Sequence, residues 1–138
     1  SEKYRDFKRR YGKAAKIALS IGEIDSADPY LAEYDLIIAT AEKMDSLLRH
    51  NAPWVSGIAT VIIDEIHLLN DHERGPTLEI LLTILKQLLK NAQIIGLSAT
   101  IGNAEELAEW LQADLVADDW RPVKLHKGIY LDGNIEFY

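Results

Sequence analysis

At 138 residues and 48% hydrophobic content the chain is long enough for one compact domain with a real core and too short to promise two. Fifteen basic against twenty-two acidic residues give a net charge of -7, which argues against a module that grips nucleic acid by bulk electrostatics, so any such contact must be local. The chain has no cysteine, no apolar run long enough for a bilayer and no secretory leader, which excludes a disulfide framework, a thiolate metal site and a membrane anchor and leaves a soluble, cytoplasmic protein as the expectation.

Ser1 stands where a helix is already under way and is not an initiating methionine, so the sequence reads as an excised piece. Residues 2 to 11 place Tyr4 and Phe7 among charges at helical spacing, and Gly12 supplies a stop. Ala15 to Ser20, ended by Gly22, and Asp35 to Ala39 are short apolar runs that predict strands. Between them Asp28-Pro29 predicts a short helix, with proline where its missing N–H does no harm. Thr40 then caps a helix whose apolar face is Met44, Leu47 and Leu48.

The pattern repeats. Ala59 to Ile63 predicts a strand buried on both faces, running into Asp64-Glu65. Pro76 opens a long helix through Leu78, Leu81, Leu82, Leu85, Leu88 and Leu89. Gln93 to Ser98 predicts a further strand, and Asn103-Ala104-Glu105-Glu106 a capping box for a helix ending near Leu111. Lys124 to Leu131 predicts one last strand. Apolar strands alternating with amphipathic helices give an α/β class, a three-layer sandwich with a mainly parallel sheet.

In an open parallel sheet, ligands collect at the carboxyl ends of the strands, where this chain carries Thr40, Asp64-Glu65 and Ser98-Ala99-Thr100. Two carboxylates leaving a strand as apolar as Val61-Ile62-Ile63 call for a counter-ion. A magnesium ion carrying nucleotide phosphates would supply it, with Asp64 as metal ligand, Glu65 polarising the attacking water and His67 placed to sense the terminal phosphate. The blander alternative is a solvated loop entry. For Ser98 and Thr100 it is a pair of turn caps, and only the combination favours a site. Thr40 with Lys43 at a helix start could hold a nucleic-acid backbone phosphate, and Arg74 on the following loop is equally open. His50, His72 and His126 lack partners at metal-ligand spacing, and Trp54, Trp110 and Trp120 are expected to pack.

No lysine is followed by Ser or Thr, so the glycine-rich phosphate cradle of a nucleotide motor is missing from these residues. The chain reads as the metal-and-water side of a site without its phosphate side.

Asp64-Glu65-Ile66-His67 resembles the DExH box, and Ser98-Ala99-Thr100 the SAT motif, of superfamily-two helicases. Thr40 to Leu47, Glu73 to Glu79, Gly102 to Leu111 and Trp120 to Val123 are similar to the corresponding strings of the Ski-two-like group, above all its archaeal DNA-repair helicases. The resemblance implies the C-terminal part of a first RecA-like domain of the P-loop NTPase type, incomplete over residues 1–138, with the P-loop upstream and the second RecA-like domain absent. It implies ATP and Mg2+ as cofactors of the parent, 3′–5′ movement on single-stranded or forked DNA, and inactivity of the piece alone. Within it Asp64 would hold metal, Glu65 act as base, His67, Ser98 and Thr100 couple, and Thr40 with Lys43 touch the DNA backbone.

Two other readings stand beside it: a non-catalytic interaction or scaffold domain on a helicase fold, motivated by the missing cradle, and a metal-dependent nuclease using Asp64, Glu65 and His67.

Overall fold

The computed structural model describes residues 2–22, 27–99, 102–118, 120 and 122–137. The chain divides into two compact units, residues 1–101 and 102–138, and each is described by itself.

The first unit opens with α1 (Glu2–Tyr11), which ends at Gly12 as its spacing predicts. Arg9 and Arg10 both reach back to Asp6, and the Arg10 guanidinium chiefly, with Arg9, holds the Asp6 carboxyl below the usual range. Two parallel strand pairs follow in register: β1 (Ile17–Ser20) with β2 (Leu36–Ala39), and β3 (Thr60–Ile63) with β4 (Gln93–Gly96). The expected α/β class with parallel strands is what forms, because each strand's return runs through a helix. A 3-10 turn at Pro29–Glu33 precedes β2, and α2 (Ala41–Arg49) follows it. Between β3 and β4 lies α3 (Gly75–Leu88).

One core serves both strand pairs. Leu47 of α2 and Leu81 and Leu85 of α3 bury against Ala18, Leu31, Ala52, Val55 and Leu89, while Ile37 of β2 and Val61 of β3 pack onto the cluster. Trp54 joins its edge and donates its indole N–H to the Ala27 carbonyl at 3.3 Å, as a packing tryptophan should.

Two expectations fail here. The strand before Asp64 is not buried on both faces, since Ile62 is 57% exposed and only Ile63 is buried. Alternation explains it: Val61 points to the leucine cluster, so its neighbour Ile62 points away. The face of α2 also differs, because Lys43 and Ser46 are buried beside Leu47 whereas Met44 and Leu48 are only half covered.

The second unit holds α4 (Ala104–Leu111) and a hairpin of β5 (Gly128–Leu131) and β6 (Asn134–Phe137). The capping box does not close. Asn103 precedes α4 at φ -127°, ψ 42°, outside the extended region a side-chain cap uses, and it makes no capping bond. The last strand is shorter than expected and gains a partner, since Asp132 and Gly133 both take positive φ and turn the chain in two residues. Trp120, expected to pack, is 74% exposed. Among the described residues no helix is long and apolar enough to cross a membrane.

Leu82 is fully buried, and Leu82→Ala should lower unfolding free energy by about 3 kcal/mol through lost transfer energy and an unfilled cavity. Thr83→Ala, on the exposed side of α3, should stay within about 0.5 kcal/mol in the same urea titration.

Candidate functional site

The backbone pairing of β3 and β4 continues past their last residues. Leu97 donates its N–H to the Ile63 carbonyl at 2.8 Å, and Ile66 donates to the Leu97 carbonyl at 2.9 Å. These two bonds tie the Asp64-Glu65 end of one strand to the residue before Ser98 on the other. Ile66 is the anchor, at 2% exposure, and it packs onto Gly96, where an added Cβ would approach its Cδ1 to 2.9 Å.

With Ile66 buried between them, Glu65 turns outward while His67 is only partly exposed and keeps its Nδ1 covered. Glu65 stands in the left-handed region at φ 57°, ψ 44°, an unfavourable conformation for a residue with a Cβ, and it starts the 3-10 turn Ile66–Asn70. His67 Nδ1 lies 3.4 Å from Glu65 Oε2 without hydrogen-bond geometry among the described residues. Asp64, 38% exposed at its side chain, forms an ion pair with Lys3 from α1. A cation therefore sits on the carboxylate that the sequence marks as a metal ligand.

The loop leaving this site is fixed by Asp71. Its Oδ1 accepts the N–H groups of Arg74 at 2.8 Å and Glu73 at 2.9 Å, and these backbone donors, Arg74 first, hold the Asp71 carboxyl below its usual range. Arg74 ends up exposed at the start of α3. Gly75 begins that helix hard against the Leu69 carbonyl oxygen, where any side chain would collide with backbone.

At the other strand end, Thr40 is exposed and caps α2, its Oγ1 accepting the Lys43 N–H at 3.3 Å. The Lys43 side chain turns inward instead. With the side chain 4% exposed, its ammonium pairs with Asp28 at 2.8 Å. Ser98 is exposed just past β4, and Thr100 lies outside the described residues.

The strand ends thus bring Asp64, Glu65, His67 and Ser98 together along the β3–β4 pair and set Thr40 at the end of β2. The model for DEAD/DEAH box helicase matches residues 1–107. The chain belongs to that family. Every candidate residue lies within the matched helicase span.

Among curated relatives, the chain is similar to the ATP-dependent DNA helicase Hel308 of Methanocaldococcus jannaschii, 60% identical over 138 residues, which is 99% of this chain and 11% of that protein. It is 55% identical over 132 residues to Hel308 of Pyrococcus abyssi, covering 96% of this chain and 18% of the relative. Hel308 of Methanococcus vannielii is 52% identical over 138 residues, 99% of this chain and 18% of its own length. The chain therefore spans between about a tenth and a fifth of the relatives it matches. The resemblance to Ski-two-like archaeal helicases, drawn from short strings, extends across the chain.

Two partners of the candidate residues escape sequence reading. Lys3 gives no signal, since its pairing with Asp64 spans sixty residues of chain. Asp28 gave one that was read only as a helix start. The sequence sets Lys43 beside Thr40 as a nucleic-acid contact, and its burial depends on the counter-charge of Asp28 from an earlier element.

Gly75→Ala should destabilise the fold by roughly 1 to 3 kcal/mol, since the clash is with backbone that cannot step aside. Gly57→Ala, with nothing within 4 Å, provides the control and should change stability by less than about 0.5 kcal/mol in the same unfolding measurement.

Proposed function

We propose that this chain is the C-terminal part of the first RecA-like domain of an ATP-dependent 3′–5′ DNA helicase, supplying the metal-binding, water-activating and coupling groups of its motor. The observation that carries the reading is the pair of bonds from Leu97 to Ile63 and from Ile66 to Leu97. They join the two strand ends into one rigid edge, so a displacement at Glu65 is passed to Ser98. Family membership and the similarity to Hel308 helicases supply the reaction class.

The donor set fits magnesium held jointly with a nucleotide. Magnesium takes one or two protein carboxylates plus phosphate oxygens, and no cluster of three acidic or histidine side chains that could form a protein cage exists among the described residues. Asp64 is the ligand on offer, exposed enough to be reached and already accepting the Lys3 ammonium. When bound, the ion would neutralise charge on the terminal phosphates.

The remaining roles belong to the chain's own groups. Glu65, aimed outward by its left-handed backbone, orients water and accepts its proton. His67 stands 3.4 Å away, near enough to respond when that carboxylate changes protonation or partner. Ser98, with Thr100 two residues on, carries the change along β4. Thr40 and the exposed Arg74 are the candidate contacts to a single-stranded or forked DNA backbone, and Lys43 supports Thr40 from within. The phosphate cradle and the second RecA-like domain would come from segments outside this sequence, and the piece alone would be inactive.

The Lys3–Asp64 pair favours a second reading, in which the carboxylate is satisfied internally and the domain serves as a non-catalytic scaffold.

ATP hydrolysis by the full-length protein, measured without nucleic acid, with single-stranded DNA and with RNA, separates the two. Stimulation by DNA is the expected result, and Glu65→Gln should leave nucleotide binding nearly intact while lowering turnover about 100-fold or more. Absence of hydrolysis under all three conditions would assign the scaffold role. Ser98→Ala combined with Thr100→Ala should depress strand separation more than hydrolysis, and unimpaired unwinding in a fork-displacement assay would remove the coupling role.

A further inference from the structure

One ion pair lies behind the strand-end groups, withdrawn from solvent. Lys43 Nζ meets Asp28 Oδ2 at 2.8 Å, with side chains 4% and 13% exposed. Removing two charges from water is expensive, and such a pair is rarely the most stabilising filling for a core. It holds geometry instead.

The geometry concerns three chain ends. Asp28 stands in the left-handed region, φ 42° and ψ 61°, immediately before the 3-10 turn at Pro29–Glu33. The same carboxylate oxygen lies 3.5 Å from the hydroxyl of Ser20, the buried last residue of β1. Lys43 comes from the first turn of α2. Its side chain is anchored at Asp28 while its backbone N–H is the donor that Thr40 caps, at 3.3 Å. A single residue thus connects a buried carboxylate to the exposed Thr40.

We propose that Asp28 and Lys43 are positioning residues: their buried pair fixes the first turn of α2, and with it Thr40, in the orientation that receives a nucleic-acid backbone. The inference rests on the DNA-motor reading and refines it, since Lys43 then acts on DNA through Thr40 and never through its own ammonium.

The direct and indirect roles differ in salt dependence. A lysine that neutralises a phosphate contributes about one unit to the slope of log affinity against log salt, whereas a positioning residue contributes none. Asp28→Asn separates them further, because it neutralises the carboxylate while keeping the ammonium.

The test uses the full-length protein and a labelled oligodeoxythymidine, with affinity measured across a salt series. Asp28→Asn and Lys43→Met should each weaken binding about tenfold with an unchanged salt slope. The double variant should be no weaker than either single, because both remove one shared constraint. In Asp28→Asn the DNA concentration giving half-maximal stimulation of ATP hydrolysis should rise by the same factor while the rate at saturating DNA holds, a split that general loss of structure would not produce.

Lys43→Met with a slope reduced by about one, beside Asp28→Asn with unweakened binding, would overturn the proposal in favour of direct contact. Wild-type affinity in both singles would overturn it outright. If either single variant unfolds, the double, which buries neither charge, decides: weakened binding supports the positioning role and wild-type binding ends it. A wild-type protein that fails to bind the oligonucleotide would remove the DNA reading itself.

Discussion

Ile66 is an apolar side chain placed between two polar ones, and its burial decides where both of them go. With its side chain against Gly96 and its N–H bonded to Leu97, the segment Asp64 to His67 cannot continue as a strand or drift into solvent as a loop. The backbone must bend at Glu65, which accepts a left-handed conformation unfavourable by roughly 1 to 2 kcal/mol. The return is placement: Glu65 is held on the outer side of a turn whose inner side is core, with His67 half-covered beside it. The same bonds tie this turn to Leu97, the residue before Ser98, so the two strand ends are held side by side.

A second anchor works by charge. Helix α2 presents Lys43 and Ser46 to the interior beside Leu47, which no apolar packing rule would choose. Asp28 makes the burial tolerable, and its left-handed backbone is one that aspartate accepts more readily than most residues. The leucines of α3 provide adhesion without direction; the ion pair provides direction. Each anchor follows an exposed polar group closely in sequence, Ile66 directly after Glu65 and Lys43 in the helical turn that Thr40 caps.

The overall charge fits this division. A chain of net charge -7 attracts no nucleic acid by its mean field, and on α1 the basic residues Arg9 and Arg10 are already matched by Asp6. Any contact with a DNA backbone must come from a few groups held in place, which makes the internal supports of Thr40 and Arg74 matter more than the count of lysines. Asp71 performs that service for the Arg74 turn as Lys43 does for Thr40.

Much of the architecture followed from the sequence alone, because strand and helix periods and strong punctuation are local properties. Val61-Ile62-Ile63 between Thr60 and Asp64, Thr40 before α2 and the leucine rows of α3 are readable in windows of a few residues, and so are the strings that resemble helicase motifs. Tertiary structure decided what depends on partners distant in sequence. Ile62 is exposed because alternation turned Val61 toward a cluster assembled from other elements. Lys43 is buried because Asp28 waits for it, Asp64 meets Lys3 from α1, far back in the chain, and Asp132-Gly133 folds the last strand onto a mate. Local pattern fixes which residues are apolar and how the backbone runs between breaks, while the destination of a charged side chain is set by the counter-charge that folding brings to it.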